Sequence, residues 1–183
     1  MSTKMRLDVL ASGGGTNLQS IIDRCHDGSL DAEIAVVISN NPDAGALDRA
    51  ARAGILSQCI NHREFPSRED FDTAVVKALR EAGVELVVLA GFMRMIKTAM
   101  LEAYNGKILN IHPSLLPAFP GLASWKQALD YGVTIAGCTV HLIDAGMDTG
   151  PIIVQRSVPV LDDDTPDGPP RQRPAPDRAR CRR

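Results

Sequence analysis

Asn110 and His112 are the pair of side chains best suited to chemistry in this 183-residue sequence. They lie two positions apart in residues 110–117 (NIHPSLLP), at the end of a short apolar run. Alternate residues of a strand face the same side, and ligands of open α/β sheets bind at the carboxyl ends of the strands. An amide that donates a hydrogen bond beside an imidazole that moves a proton suits acyl transfer through a tetrahedral intermediate. The structural alternative is a histidine packed against a proline turn.

A glycine-rich segment, residues 12–17 (SGGGTN), is the second candidate site. It lies between a predicted strand and a predicted helix, where a turn exposes backbone N–H groups that stabilise a phosphate. Leu18 stands where the dinucleotide fingerprint has its third glycine, and the Gly-Lys-Ser/Thr ending of a P-loop is absent. This departure argues against an oxidoreductase with a nucleotide cofactor. The structural alternative is a tight turn without a ligand.

Two aspartates, Asp144 and Asp148, lie in residues 141–151 (HLIDAGMDTGP) between two late predicted strands. A carboxylate near an imidazole raises the pKa of that ring and fixes its orientation. Aspartate also favours turns for local reasons. The spacing does not decide which of the two would serve His112.

The order of elements predicts an α/β fold, namely a doubly wound, mostly parallel sheet with helices on both faces. Apolar residues at helical spacing predict four helices. The first follows the glycine-rich turn, the second starts near Leu47, the third starts at an N-cap on Ser67, and the fourth spans residues 122–131. The last two strands are expected to be antiparallel neighbours. Predicted strands cover residues 6–11, 33–39, 85–90, 107–111, 134–143 and 152–160.

Composition limits the classes of partner. The formal charge of −2 argues against a nucleic acid held by bulk charge, so small-molecule substrates are expected. The longest apolar runs are far short of the roughly 20 residues that a membrane-spanning helix needs. The first residues show no secretory signal, which predicts a cytoplasmic protein. Its cysteines lack the spacing of metal ligands, so no metal is expected; they are Cys25, Cys59, Cys138 and Cys181.

The composition changes after Leu161, and residues 166–183 are rich in proline and arginine with almost no apolar side chains. Such a segment cannot offset the entropy lost on ordering. We therefore expect a catalytic domain over residues 1–165 and a disordered tail over residues 166–183.

Four motifs together resemble the folate-dependent phosphoribosylglycinamide formyltransferase family. They are SGGGTNLQ, AGFMR, LNIHPSLLPAFPG and GCTVHLIDAGMDTGPII, and the resemblance runs from about Arg6 to Pro166. It implies the Rossmann-like formyltransferase fold, as a monomer or homodimer. It also implies transfer of a formyl group from the co-substrate 10-formyltetrahydrofolate to the amine of 5′-phosphoribosylglycinamide, in the biosynthesis of purines, without a metal.

The resemblance assigns roles to three groups of residues. Asn110, His112 and Asp148 match the family's catalytic trio, whereas Asp144 does not. The turn that holds the phosphoribosyl substrate is matched by Gly15, Thr16 and Asn17. The folate site, which also uses Asn110, is matched by Arg68, Met93, Arg94, Met95 and Ile96.

One departure from the family keeps two alternatives open. The family continues into an amphipathic C-terminal helix, whereas this chain reads GPPRQRPAPDRARCRR, as expected of a frameshift or truncation near Asp167. A chain without that helix would be an inactive ligand-binding remnant. The other alternative is an enzyme similar to formyltetrahydrofolate hydrolases, which use water in place of the amine and usually carry an added N-terminal domain.

Overall fold

The computed structural model describes residues 4–165, so the predicted tail over residues 166–183 lies outside the described residues. Within residues 4–165, seven strands form one sheet in the order β3-β2-β1-β4-β5-β6-β7. The strands are β1 (Met5–Leu10), β2 (Ala32–Ser39), β3 (Ser57–Cys59), β4 (Leu86–Leu89), β5 (Ile108–His112), β6 (Ile135–Leu142) and β7 (Ile152–Pro159). The helices are α1 (Thr16–His26), α2 (Gly45–Arg52), α3 (Arg68–Glu81), α4 (Thr98–Ala103) and α5 (Ser124–Tyr131), with a 3-10 turn at His62–Glu64.

Strands β1 to β5 are parallel, and β6 and β7 are each antiparallel to the strand before them in the sheet. The predicted mostly parallel sheet and the antiparallel late pair are thereby confirmed. The chain moves outward from β1 through β2 to β3 and then returns to β4 on the other side of β1. The crevice between β1 and β4 is therefore a topological switch point, the usual place for a ligand in this architecture.

Helices cover both faces of the sheet, as predicted. Alternate residues of β1 face opposite sides, so Val9 packs with α1 and α2, and Leu10 packs with α3 and α4. The first core includes Val9, Val37, Val88, Leu18, Ile22, Ala46 and Ala50. The second includes Leu10, Val36, Val87, Phe71, Val75, Leu79 and Met100.

Local signals set the start of two helices. The Ser67 hydroxyl accepts the N–H of Asp70 at 3.1 Å, which confirms the predicted N-cap of α3. Helix α5 begins at Ser124, two residues later than predicted, because Ala123 adopts a left-handed conformation with φ of 52°. The elements β3, α4 and the 3-10 turn are too short for a periodic pattern and were not predicted from the sequence.

Within residues 4–165, no helix is long and apolar enough to cross a membrane. The same part of the chain holds no group of three or more His, Cys, Asp or Glu side chains arranged to bind a metal ion. Strand β7 forms one edge of the sheet, and its Ile152, Ile153 and Val154 side chains are all exposed.

Candidate active site

The candidate site lies at the carboxyl edge of the parallel strands. The glycine-rich turn follows β1, the loop of residues 90–97 follows β4, and Asn110 and His112 end β5. Strand β4 separates β1 from β5, so the turn and the end of β5 lie about 10 Å apart at a strand spacing of about 4.8 Å. Small molecules bound at this edge of the sheet can therefore contact all three segments at once.

Asn110 is held by a histidine on the neighbouring strand. In the antiparallel register of β5 and β6, Asn110 lies opposite His141, and the Asn110 Nδ2 atom is 3.1 Å from the His141 Nε2 atom. The Nδ1 atom of His141 lies 2.9 Å from the carbonyl oxygen of Leu142 and must donate to it. In the neutral ring Nε2 then accepts from the Asn110 amide. This bond orients the amide and leaves its second N–H for another acceptor.

His112 is buried and held at both ring nitrogens. Its Nε2 atom lies 3.0 Å from the carbonyl oxygen of Phe119, an acceptor, so Nε2 carries a proton. Its Nδ1 atom lies 3.4 Å from the Oδ2 atom of Asp148. Each ring nitrogen therefore faces an oxygen acceptor, which fixes the orientation of the ring.

The Asp148 carboxylate lies between two imidazoles. Besides facing His112, its Oδ2 atom accepts the N–H of Gly121 at 2.8 Å, and its Oδ1 atom is 3.7 Å from Nε2 of His141. Its backbone has a φ of 55°, a left-handed conformation that aspartate tolerates better than most residues. The geometry brings together the predicted Asn110, His112 and Asp148.

Asp144 has a different neighbourhood. Its Oδ1 atom accepts the N–H of Gly146 at 2.9 Å and the hydroxyl of Thr149 at 2.7 Å, so it shapes the loop that carries Asp148. The same loop passes so close to β6 that a Cβ added to Gly150 would lie 1.9 Å from the Leu142 carbonyl oxygen. Only glycine fits there, and the close approach places Asp148 beside the ends of β5 and β6.

The glycine-rich turn leads directly into α1. Gly15 has a φ of 72°, and a Cβ at this position would lie 2.8 Å from the Ala46 Cα atom of α2. Thr16 and Asn17 are the first residues of α1, where backbone N–H groups have no acceptor within the helix. The Nε atom of Arg49 donates to the Gly14 carbonyl at 2.7 Å and brings a positive charge to the turn. These groups suit an anion.

The loop of residues 90–97 presents side chains of mixed character beside the start of α3. Met93 and Met95 are 64% and 46% exposed, whereas Ile96 packs against the core of the α3 face. Exposed methionines offer flexible apolar surface to a flat ring system. Core packing alone would not leave two of these side chains in water.

Two guanidinium groups flank this loop. Arg68 is the first residue of α3, and the Arg94 guanidinium lies 5.6 Å from the centroid of the Phe71 ring. Burial lowers the pKa of Arg94, and the nearby charge of Arg68 lowers it further. Among residues 4–165, the buried Nε atom of Arg94 has no hydrogen-bond partner. The pair is suited to an anionic group.

Buried Asp72 supports the loop from beneath. Its Oδ2 atom accepts the N–H of Lys97 at 2.9 Å. Burial raises the pKa of Asp72, while that hydrogen bond and the charges of Arg68 and Arg94 oppose the rise. The carboxylate therefore fixes the end of the loop and partly balances the two guanidinium groups.

The sequence reasoning missed three of these polar residues, namely His141, Arg49 and Asp72. His141 begins the motif that carries both aspartates, but its contact with Asn110 depends on the antiparallel register of β5 and β6. Arg49 and Asp72 lie on amphipathic helices, where their types are typical of ordinary surface and no sequence signal separates them.

Comparison with known proteins identifies relatives over almost the whole described chain. The family model described as formyl transferase matches residues 5–169. Phosphoribosylglycinamide formyltransferase from Bacillus subtilis is 44% identical over 157 residues, which cover 86% of this chain and 80% of that protein. The crystal structure of glycinamide ribonucleotide transformylase 1 from Symbiobacterium toebii shares 52% identity and a TM-score of 0.89, over 91% of this chain and 78% of that one.

A longer protein also contains a matching region. The trifunctional purine biosynthetic protein adenosine-3 of Drosophila pseudoobscura pseudoobscura is 50% identical over 163 residues, and the chain spans only 12% of its length. These relatives confirm the resemblance predicted from the four motifs and the formyltransferase fold.

Proposed function

The chain belongs to the formyl transferase family, and from this premise we propose that it moves the formyl group of 10-formyltetrahydrofolate to the amine of 5′-phosphoribosylglycinamide. This reaction is a step in the biosynthesis of purines leading to IMP. The observation that supports it most directly is the contact of Asp148 with His112, next to the oriented amide of Asn110.

In the proposed transfer the glycinamide amine attacks the formyl carbon, and a new C–N bond forms as the carbonyl oxygen gains negative charge. The Asn110 N–H that is not bonded to His141 would donate to this oxygen. The bond between the formyl carbon and the folate nitrogen then breaks. The proton lost by the attacking amine passes to that departing nitrogen, so the reaction is balanced without a metal.

His112 would stabilise the tetrahedral intermediate and assist the proton transfer. Asp148 would hold the orientation of the ring through the contact of its Oδ2 atom with Nδ1. The Nε2 proton of His112 is bonded to the Phe119 carbonyl in the structure without substrate. When substrate binds, that proton would exchange the carbonyl for the reacting group.

The two substrates would occupy the two sides of the trio. The N–H groups of Gly15, Thr16 and Asn17, with the charge of Arg49, would hold the phosphate of the ribonucleotide. The folate ring would bind against the loop that carries Met93, Arg94, Met95 and Ile96. Arg68 and Arg94 would meet the carboxylates of its glutamyl tail, because guanidinium groups bind carboxylates in a bidentate manner. The proposal includes a cytoplasmic monomer or homodimer.

The decisive experiment measures tetrahydrofolate released from 10-formyltetrahydrofolate with and without phosphoribosylglycinamide. Release that depends on the amine, with formylated product of equal amount, is the expected result. Release without the amine would identify a hydrolase instead. Substrate binding without release in either case would identify an inactive binding protein. His112→Ala serves as the control that removes only the proposed acid–base group.

A further inference from the structure

The hydroxyl of Ser12 joins two loops that the proposed function assigns to different substrates. Ser12 is the first residue of the glycine-rich segment. Met93 is the first of the side chains in the loop of residues 90–97 that the proposed function assigns to the folate. The N–H of Met93 donates to the Ser12 Oγ atom at 2.8 Å. The Ser12 N–H donates to the Gly91 carbonyl at 3.1 Å, so the same two loops are joined twice.

The other side of the hydroxyl contacts a third loop. The Ser12 Oγ atom donates its only proton to the Asn40 Oδ1 atom at 2.6 Å, and Asn40, which follows β2, is 5% exposed. A hydroxyl has one proton to donate, so the bond to Asn40 leaves its lone pairs directed at Met93. The Asn40 side chain therefore sets the rotation of the hydroxyl that receives the Met93 N–H.

Asn40 is in turn held by His62 in the 3-10 turn after β3. The Nδ1 atom of His62 lies 3.2 Å from the Asn40 amide nitrogen and 3.1 Å from the Asn40 carbonyl oxygen. Either tautomer of the ring can thus bond to Asn40. The His62 ring also packs edge-on against Phe71, the ring beneath Arg94. The hydrogen-bonded chain of Met93, Ser12, Asn40 and His62 links four loops at the carboxyl edge of the sheet.

We propose that Ser12 is a positioning residue that couples the phosphoribosyl subsite to the folate subsite. This inference rests on the proposed function, because the subsites are those of its two substrates. The hydroxyl does not touch the reacting atoms. It holds Met93, in the loop of residues 90–97, at a fixed distance from the glycine-rich turn. The loop that binds one substrate is therefore already positioned relative to the loop that binds the other.

The coupling predicts a specific kinetic pattern. Loss of the hydroxyl frees the Met93 N–H and loosens this part of the loop, although the Ser12 N–H still donates to the Gly91 carbonyl and Asn110, His112 and Asp148 keep their contacts. Removing such a hydrogen bond weakens binding by about tenfold. The KM for 10-formyltetrahydrofolate should therefore rise, and kcat should change little.

The experiment compares Ser12→Ala with Ser12→Thr, which keeps the hydroxyl, and with Ser20→Ala as a matched control. Ser20 lies on α1, and its exposed hydroxyl donates to the Thr16 carbonyl at 3.3 Å. The first measurement is hydrogen exchange of the Met93 amide in the full chain without substrates, which does not depend on any activity. We expect about tenfold faster exchange in Ser12→Ala, with Ser12→Thr and Ser20→Ala close to the parent chain. Unchanged exchange in Ser12→Ala would overturn the proposal.

The second measurement is the kinetics with both substrates. A higher KM for 10-formyltetrahydrofolate in Ser12→Ala, restored by Ser12→Thr, supports the coupling. A fall in kcat with an unchanged KM would overturn it, because a positioning role at the folate loop predicts the opposite split. If the parent chain transfers no formyl group, the proposed function fails, and the exchange of Met93 still decides whether the hydroxyl holds the loop. If Ser12→Ala does not fold, Ser12→Cys replaces it, because a thiol is a weak acceptor and should give an intermediate exchange rate.

Discussion

The Oδ2 atom of Asp148 lies 3.4 Å from the Nδ1 atom of His112, and the same oxygen accepts the N–H of Gly121 at 2.8 Å. The carboxylate is thus anchored to the segment after β5 as well as to the histidine. Because the Gly121 N–H also holds this oxygen, the position of Asp148 does not depend on its contact with His112 alone.

His112→Ala should lower the rate of formyl transfer by about 10²–10⁴-fold, the range expected for the loss of a general acid–base group. The measurement is kcat/KM with both substrates, together with circular dichroism to verify the fold. His26→Ala, at an exposed position on α1, is the matched histidine control. Activity of His112→Ala within about twofold of the parent enzyme would remove His112 from the proposed mechanism.

Asp148→Asn and Asp144→Asn should have different effects. Asp148→Asn removes the negative charge that faces His112, so we expect transfer to fall by about 10²-fold or more. Asp144→Asn alters an exposed side chain that bonds only within its loop, through the Gly146 N–H and the Thr149 hydroxyl. Its effect should be several times smaller. Equal losses in the two variants, measured as kcat at saturating substrate, would contradict the assignment of Asp148.

Gly15→Ala should disrupt the phosphate turn, whereas Gly13→Ala should be tolerated. The added methyl group at residue 15 meets Ala46 at 2.8 Å and requires a positive φ, whereas at residue 13 no atom lies within 4 Å. We expect a loss of about 1–3 kcal/mol in the free energy of unfolding for Gly15→Ala, from backbone strain alone. Urea denaturation measures this loss, and titration with inorganic phosphate measures whether the turn still binds an anion. Equal stability of the two variants would show that the close packing on α2 is not required.

Asp8 should make the chain less stable as the pH rises. It is fully buried in β1, and neither carboxylate oxygen has a hydrogen-bond partner among residues 4–165. Burial raises the pKa of Asp8 well above its usual range, and the neighbouring Val9 N–H, which does not meet hydrogen-bond geometry, offsets only part of the rise. The folded chain retains a proton that the unfolded chain releases near pH 4. The stabilising effect of the neutral acid is therefore complete below about pH 4 and is lost as the pH rises through the folded-state pKa.

Asp8→Asn should remove this pH dependence, and Asp8→Val should raise the free energy of unfolding at neutral pH by about 1–3 kcal/mol, because it removes a buried polar group without a partner. Urea denaturation across the acidic and neutral range measures both effects. Asp48→Asn, an exposed change on α2, is the control. If the stability of Asp8→Asn followed the same pH profile as the parent chain, Asp8 would not be the titrating group.

Most of the fold follows from periodicity, and the site follows from it only in part. The apolar run over residues 107–111 predicts a strand whose carboxyl end carries Asn110 and His112. The serine at position 67 predicts the start of α3. Strand β3 has three residues, and helix α4 has six, which is less than two helical turns. Neither is long enough to show a periodic pattern of apolar residues. The contact of Asn110 with His141 depends on a register between distant strands, which local sequence does not encode.

The buried environment of Asp8 is a second feature that the sequence pattern does not predict. The sequence predicts a strand over residues 6–11 (RLDVLA), but it does not specify the surroundings of the charged residue within that run. The structure buries both faces of β1, because α1 and α2 cover one side and α3 and α4 cover the other. Tertiary packing thus decided the environment of this residue.

The central position of β1 also has a consequence for the order of synthesis. Strand β1 precedes both of its neighbours along the chain, and one of them, β4, ends only at Leu89. Until that point β1 can pair with β2 alone, and the backbone N–H and C=O groups of its other edge have no partner strand. An incomplete nascent chain therefore carries an open, apolar strand edge that invites pairing with a second chain. Rapid translation of residues 40–89 would shorten this exposure.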